Sequence, residues 1–376
     1  MTYVMTALTM PKFGLAMTEG KLSSWTIAPG GAVREGDEVA DIETSKITSG
    51  YESPASGVLR RQVALAGETL PVGALLGVVA DADVPEAEID AFIASFRAES
   101  TEEGEETAEA TSSEPKMVEV GAHRLNVRDV GRGEGPPLLL IHGFGGDLSN
   151  WMLNQDVLAR HQRVIAFDLP GHGASSKDVG DGSLTFLAEA AAGLLQALDI
   201  PKAHVLGHSL GGAVALCLLR DAPDSVVTLT LVAPAGLERA VNVESLKAMV
   251  ESDRTRDMQQ ALQALVHDKS LVGRKMADNV LKVRRLDGAR EALRTIAATC
   301  FANGQQTDDL RPVLDAASVP VRLFWGEEDE ILPVAGAKNA PDTVVKYILP
   351  EIGHMPQLEK TVEFNRIVEG FLEENA

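Results

Sequence analysis

Three shortages narrow what this chain can be. Only Cys217 and Cys300 are cysteines among its 376 residues, too few and too far apart for a disulfide framework or a cysteine-based metal-ligand spacing. Positive charge is short as well. With 34 basic residues against 55 acidic, the formal net charge is −21, so the averaged field repels phosphate backbones and anionic lipid surfaces. Nucleic acid is therefore not an expected partner. Long apolar runs are also missing: none approaches the roughly 18 residues that mark a membrane span. The opening MTYVMTALTMPKFG lacks a basic start followed by an apolar stretch and a small-residue cleavage site. A cytoplasmic protein with no membrane association is expected.

What is present suffices for folded cores. The composition is 45% hydrophobic and 24% charged, typical of globular chains. Single cores stop growing at roughly 250–300 residues, so two domains are expected.

The first part, residues 4–82, reads as an all-β unit. Short β-rich runs from Thr6 to Asp81 are punctuated by glycines such as Gly20, Gly30, Gly31, Gly50 and Gly57. It also looks duplicated. Gly36-Asp37-Glu38-Val39-Ala40 is echoed by Gly67-Glu68-Thr69-Leu70-Pro71, each before a short hydrophobic strand, which suggests two half-sheets related by pseudo-symmetry. Residues 83–116 follow as a connection of two characters. Ile89, Phe92, Ile93 and Phe96 recur at helical spacing within Pro85–Ala98, giving one amphipathic helix that either docks on a domain of its own chain or binds a partner. Glu99–Glu114 is nearly all Glu, Thr, Ser, Ala and Gly, which reads as a flexible linker.

From 117 to 376 the pattern is α/β. Apolar runs at Leu138–Ile141, Val164–Phe167, His204–Leu206, Val227–Val232, Val321–Trp325 and Val344–Leu349 alternate with helical-length segments, which predicts a mostly parallel sheet. Between about Ala235 and Ala317 only helical periodicity appears. This stretch is expected to form a helical cap.

Gly207-His208-Ser209-Leu210-Gly211-Gly212 lies between the strand at Ala203–Leu206 and a helical segment. A serine at such a sharp strand-to-helix turn takes a strained backbone, and side-chain-free neighbours permit the close turn that exposes its hydroxyl. A serine hydroxyl is a weak nucleophile at neutral pH, so it needs a base, and the base needs an orienting acid. His354 in Gly353-His354-Met355-Pro356 and Asp329 in Gly326-Glu327-Glu328-Asp329 each follow a predicted strand. Loops leaving the carboxyl ends of such a sheet converge on one crevice, so Ser209, Asp329 and His354 are expected to meet. The Leu210 N–H and the Phe144 N–H, within His142-Gly143-Phe144-Gly145-Gly146, are the candidate oxyanion donors.

These motifs, in the chain order Ser, Asp, His, resemble the α/β-hydrolase family over about Met117–Ala376. Phe167-Asp168-Leu169-Pro170-Gly171-His172-Gly173-Ala174-Ser175 resembles that family's turn after its fourth strand. The resemblance implies that Asp329, rather than Glu327, Glu328 or Glu330, is the acid. His142, His172 and His208 then shape turns, and His123, His161, His204 and His267 belong to no constellation. Cys217 and Cys300 sit in apolar helical contexts and read as small buried hydrophobes.

In the small domain, Asp41-Ile42-Glu43-Thr44-Ser45-Lys46-Ile47 falls where a hairpin tip is expected. With Pro11-Lys12, Glu19-Gly20, Trp25, Gly36-Asp37 and Pro54-Ala55-Ser56-Gly57, it is similar to lipoyl domains over roughly Thr6–Ala80. That resemblance implies a flattened all-β barrel or sandwich with lipoate on Lys46. Biotinyl domains share the fold but carry a Met-Lys-Met tip, whereas Ser45 and Ile47 flank this lysine; Ser45 also departs from the Asp common in lipoyl domains.

The two halves together resemble the acetyltransferase components of acetoin dehydrogenase complexes. That implies transfer of an acetyl group from lipoyl-Lys46 to coenzyme A through Ser209, with a thiamine-dependent acetoin-cleaving dehydrogenase component and a dihydrolipoamide dehydrogenase as partners. A homo-oligomer is expected and no metal. The alternative is a serine hydrolase or thioesterase that uses the lipoyl domain for docking. A linker of about 18–30 residues spans roughly 20–30 Å, holding a carrier at millimolar-order concentration near a site within reach. No coenzyme A motif is legible in the cap. Arg274, Arg284, Arg285 and Arg294 could meet an anionic nucleotide, but solvated helix charges are the plainer reading.

Overall fold

The structure is a computed structural model that describes residues 5–11, 19–34, 36–43, 48–105 and 114–376. It divides into two units, 1–110 and 111–376.

In the first unit, two four-stranded sheets are built from β1 (Met5–Thr9), β2 (Glu19–Trp25), β3 (Ala32–Val33), β4 (Glu38–Glu43), β5 (Thr48–Glu52), β6 (Gly57–Gln62), β7 (Thr69–Pro71) and β8 (Leu75–Ala80). Their orders are β1-β8-β6-β3 and β5-β4-β2-β7. Leu8, Leu22, Val39, Ile42, Leu59, Leu76 and Val79 form the core between them. β4 and β5 pair antiparallel with Glu43 opposite Thr48. Residues 44–47 connect these strands, and Lys46 lies outside the described residues.

β8 reads Leu-Leu-Gly-Val-Val-Ala with no polar alternation because both of its faces are covered. Leu76 and Val79 face the core, while Leu75, Val78 and Ala80 pack with Ile89 and Ile93 of helix α1 (Glu86–Glu105). The apolar stripe read from the sequence is therefore spent on its own domain. Arg61 pairs with Glu86 and Asp90 at 2.7 and 2.9 Å, and Arg60 with Glu86 at 2.6 Å, fastening the first turn. α1 continues to Glu105, so the start of the expected linker is helical. The Glu- and Ala-rich composition that disfavours burial also favours helix propagation from a docked first half.

The second unit holds an eight-stranded sheet of order β16-β15-β14-β13-β11-β12-β10-β9. The expected parallel strands are β11 (Leu138–Ile141), β12 (Val164–Phe167), β13 (Ala203–His208), β14 (Val226–Val232), β15 (Val321–Gly326) and β16 (Val345–Leu349). Two antiparallel strands, β9 (Lys116–Val120) and β10 (His123–Val130), extend it beside β12. Alternate residues of β11 feed opposite cores: Leu139 and Ile141 one face, Leu138 and Leu140 the other. That is why the strand is apolar throughout. β12 and β13 lie on either side of β11, which creates the switch point where loops part and leave a crevice.

Between β14 and β15 the chain forms the cap helices Val243–Glu251, Thr255–Gln263, Arg274–Arg284 and Ala289–Cys300. An isolated bridge pairs Ala240 with Gln305 at its base. No described helix is long and apolar enough to cross a membrane.

Candidate active site

Ser209 stands between β13 and the helix Leu210–Asp221 with φ 54° and ψ −118°. Few residues other than glycine tolerate this backbone, and the surrounding contacts hold it there. A Cβ on Gly207 would come 2.3 Å from the Gly211 carbonyl oxygen, and one on Gly211 the same distance from that of Ile141. The Ser209 N–H donates to the Val232 carbonyl at 2.9 Å, tying the turn to the neighbouring strand.

Asp329 and His354 meet in a buried pair. His354 Nδ1 lies 2.7 Å from Asp329 Oδ2, with the histidine side chain 2% exposed and the aspartate fully covered. The other carboxylate oxygen accepts the N–H groups of Ile331 and Leu332 at 2.8 and 2.9 Å. These bonds aim Asp329 at the imidazole. The neighbouring acids are turned elsewhere: Glu328 accepts from the Ile352 N–H at 3.1 Å, and Glu330 pairs with Lys269 at 2.8 Å. The two loops are also joined along their backbones, since Glu327 and Glu328 donate to Leu349 and Ile352.

His354 is tied to His208, the residue that precedes Ser209. His208 Nε2 donates to the His354 carbonyl at 2.9 Å, and the two rings lie 4.8 Å apart. From the cap, the Leu265 carbonyl accepts the His354 N–H at 2.8 Å. On the facing side, a Cβ on Gly143 would approach His208 Nδ1 to 2.8 Å and the Ser209 Cβ to 3.1 Å. The glycine thus lets the loop after β11 close over the serine. Neither the Leu210 nor the Phe144 N–H donates to an acceptor among the described residues. Phe144 is buried and meets Phe301 and His172 edge-on at 5.8 and 6.2 Å.

Three more histidines surround the crevice, and burial makes each a poor base. It lowers the pKa of His142 and drives His172 and His208 well below the ordinary imidazole value. The neighbouring imidazoles of His142 and His354 add to the shifts of His172 and His208, respectively. His142 bridges the Gly143 carbonyl at 2.8 Å and the Leu169 N–H at 3.0 Å, so it carries its proton on Nδ1. These residues hold loops together, in keeping with their expected turn-shaping role. Burial also raises the Cys217 thiol to about 11 and the Cys300 thiol to about 12, leaving both in the unreactive form at neutral pH.

One sequence expectation fails at this site. Arg274 is solvated, and Arg294 grips Glu251 at 2.8 and 2.7 Å, as helix charges do. Arg284, at the end of its helix, is only 5% exposed and its Nη1 has no partner. Residue type and helical spacing do not distinguish it from its neighbours. Its burial comes from docking of the cap helix against the loop that contains Gly145. No described His, Cys, Asp and Glu residues group closely enough to hold a metal ion.

Comparisons with known proteins align with both units. Residues 136–361 match the family described as alpha/beta hydrolase fold, and residues 6–79 match the one described as biotin-requiring enzyme. A meta-cleavage product hydrolase from Pseudomonas fluorescens IP01 superposes with a TM-score of 0.64 at 26% identity, covering 69% of this chain and 98% of its own. Two relatives match nearly end to end, each named dihydrolipoyllysine-residue acetyltransferase component of an acetoin-cleaving system. The Pseudomonas putida protein is 45% identical over 97% of this chain and 98% of its own. The Cupriavidus necator protein is 39% identical over 97% and 96%. The chain is an acyltransferase with an α/β-hydrolase domain, and it belongs to the family of dihydrolipoyllysine-residue acetyltransferase components of acetoin-cleaving systems.

Proposed function

We propose that this enzyme passes an acetyl group from lipoyl-Lys46 to coenzyme A by way of an acetyl-serine at Ser209. The observation that carries the reading is the buried Asp329–His354 pair, held by His208 beside a strained serine, on the same chain as a lipoyl-type domain. Lys46 fits attachment because it lies in the short connection between the paired strands β4 and β5 and offers a primary amine. A lipoyl group there supplies a thiol that carries the acetyl unit as a thioester.

In this mechanism His354 Nε2 accepts the Ser209 proton as Oγ attacks the thioester carbonyl. Asp329 holds Nδ1–H and stabilises the imidazolium that forms. The free N–H groups of Leu210 and Phe144 receive the oxyanion, each such donor contributing about 2.7–4 kcal/mol in the transition state. The carbon–sulfur bond breaks, His354 returns the proton to the departing thiol, and the acetyl group remains on Ser209. His354 then takes the proton of the coenzyme A thiol, whose sulfur displaces Oγ to release acetyl-coenzyme A and restore the hydroxyl.

The same reading places the protein in the cytoplasm, as a homo-oligomeric core served by a thiamine-dependent acetoin-cleaving component and a dihydrolipoamide dehydrogenase. The test uses full-length lipoylated chain, acetylated chemically at the reduced lipoyl group. Acetyl-coenzyme A is expected in amounts matching the acetyl lost. Release of acetate alone, with coenzyme A present and unchanged, sinks the transferase step.

A further inference from the structure

The cap carries one cation that the proposed acetyl transfer does not use. Arg290 reaches Asp253 and Arg294 holds Glu251, so those charges are answered at the surface. Arg284 is not answered. Its side chain makes no hydrogen bond or ion pair with a described residue, and its Nη1 is shut off from solvent. Glu251, the carboxylate that favours its charge, already grips Arg294. Burial lowers the Arg284 pKa to about 10, with Arg290 adding to the shift, which leaves the group charged at neutral pH. A buried guanidinium without a counter-charge is unfavourable unless something anionic arrives to meet it.

Its position says what can arrive. Arg284 Nη2 lies 3.2 Å from where a Cβ on Gly145 would stand, and Met249 Cε lies 3.7 Å from the same point. Gly145, at φ 71°, follows Phe144, whose free N–H is the proposed oxyanion donor. His172, edge-on to Phe144, senses the Arg284 charge as one that disfavours its own protonation. The cation therefore sits against the oxyanion loop, and the one carboxylate that favours its charge, Glu251, is bonded to Arg294 instead.

Coenzyme A phosphates do not suit that place. With the thiol at Ser209 they lie at the far end of the pantetheine arm, whereas Arg284 lies against Gly145, the residue after a proposed oxyanion donor. A neutral acetyl group brings no charge. A carboxylate matches the planar fork of a guanidinium and is small enough to share the space with the oxyanion donors.

We propose that Arg284 and the Gly143–Gly146 loop form a subsite for a small carboxylate beside the oxyanion hole. The inference rests on reading Ser209 as the acyl-carrying residue. The carboxylate is either a free short-chain acid, which competes with the acyl donor, or a group at the end of an acyl chain delivered to Ser209. In the second case the chemistry is that already described: the ester or thioester bond breaks, acyl-serine forms, and the leaving group takes the proton.

Two kinetic arms on the full chain separate these sources. Hydrolysis of para-nitrophenyl acetate is followed with sodium acetate, using sodium chloride to hold ionic strength. The kcat/KM ratio of para-nitrophenyl hemisuccinate to the neutral pentanoate is measured in parallel. Competitive inhibition by acetate identifies the free acid, and a ratio above one identifies the acyl-borne group. In Arg284→Gln, whichever effect is present is expected to fall at least about tenfold, as for loss of a hydrogen bond to a charged group. Arg284→Lys should recover part of it.

A third arm needs no turnover. Calorimetry of acetate binding to Ser209→Ala, with and without Arg284→Met, should give heat only when the arginine is present. Arg284→Met keeps the side-chain bulk without the charge, and a melting temperature equal to or above that of the parent shows that its fold is intact. Acetate binding that needs Arg284 supports the subsite even if acetyl transfer fails. Absence of all three effects in the parent proteins, or effects of equal size without Arg284, overturns it.

Discussion

The sheet and the cap of the second unit are built on different terms. Around Ser209 the sheet side is full: its glycines admit no Cβ, its strained serine is bonded to β14, and its acid is held by two backbone N–H groups. The cap meets the site at a few points, with the Leu265 carbonyl on His354 and Arg284 against Gly145. Its salt bridges lie mostly in solvent. The contrast teaches that the sheet side is the frame that holds serine, acid and base by closely packed backbone contacts, whereas the cap adds a few contacts and keeps most of its charges in solvent.

The comparison is broken most severely by removing the nucleophile. Ser209→Ala should cut the turnover of an activated acetyl ester by about a millionfold, and Asp329→Asn by about ten-thousandfold, both with unchanged circular dichroism. A loss below about a hundredfold in either would show that the frame does not carry the reaction. Gly143→Ala is the next test. Its methyl group must displace His208 or Ser209, and a shift of about 1 Å at a reacting group costs roughly a hundredfold in turnover. Normal kinetics in that variant would mean that the loop is free to give.

Acid should weaken the frame. His142, His172 and His208 have folded-state pKa values lowered by burial, so the unfolded chain binds protons that the folded chain refuses. Their contribution to stability is fully present above about pH 6.5 and is lost as pH falls toward the lowered values, at up to about 1.4 kcal/mol per histidine per pH unit. The urea midpoint should therefore drop from about pH 7.5 to about pH 5.5, and less so in His172→Asn. A midpoint flat across that range would deny the neutral, buried state. The smallest effect belongs to the cap surface. Glu251→Gln, which breaks a half-exposed pair with Arg294, should change stability by less than about 1 kcal/mol in the same titration.

The frame was legible because its demands are local. A glycine-flanked serine between strand and helix, and acid and base each after a strand, must appear as short motifs at the ends of apolar runs. The parallel strands of the second unit were read from the same signal. β9 and β10 were not, because exposed Met117 and buried Asp129 break the alternation of apolar and polar residues that marks an edge hairpin. The continuation of α1 past Ala98 was missed for a related reason, since a composition unable to bury itself can still extend a helix anchored elsewhere. Arg284 was read as solvated because nothing local separates a buried arginine from its exposed neighbours on one helix. Its meaning comes from tertiary contact alone.

The central claim, that an acetyl group rests on Ser209 between carrier and coenzyme A, has one direct test. Full-length protein acetylated on its lipoyl group is quenched at short times without coenzyme A, digested, and analysed by mass spectrometry. The account predicts acetyl on the peptide containing Ser209, disappearing when coenzyme A is added as acetyl-coenzyme A forms at the same rate. Acetyl-coenzyme A formed at an undiminished rate by Ser209→Ala, with no acetylated peptide at any time, would contradict it.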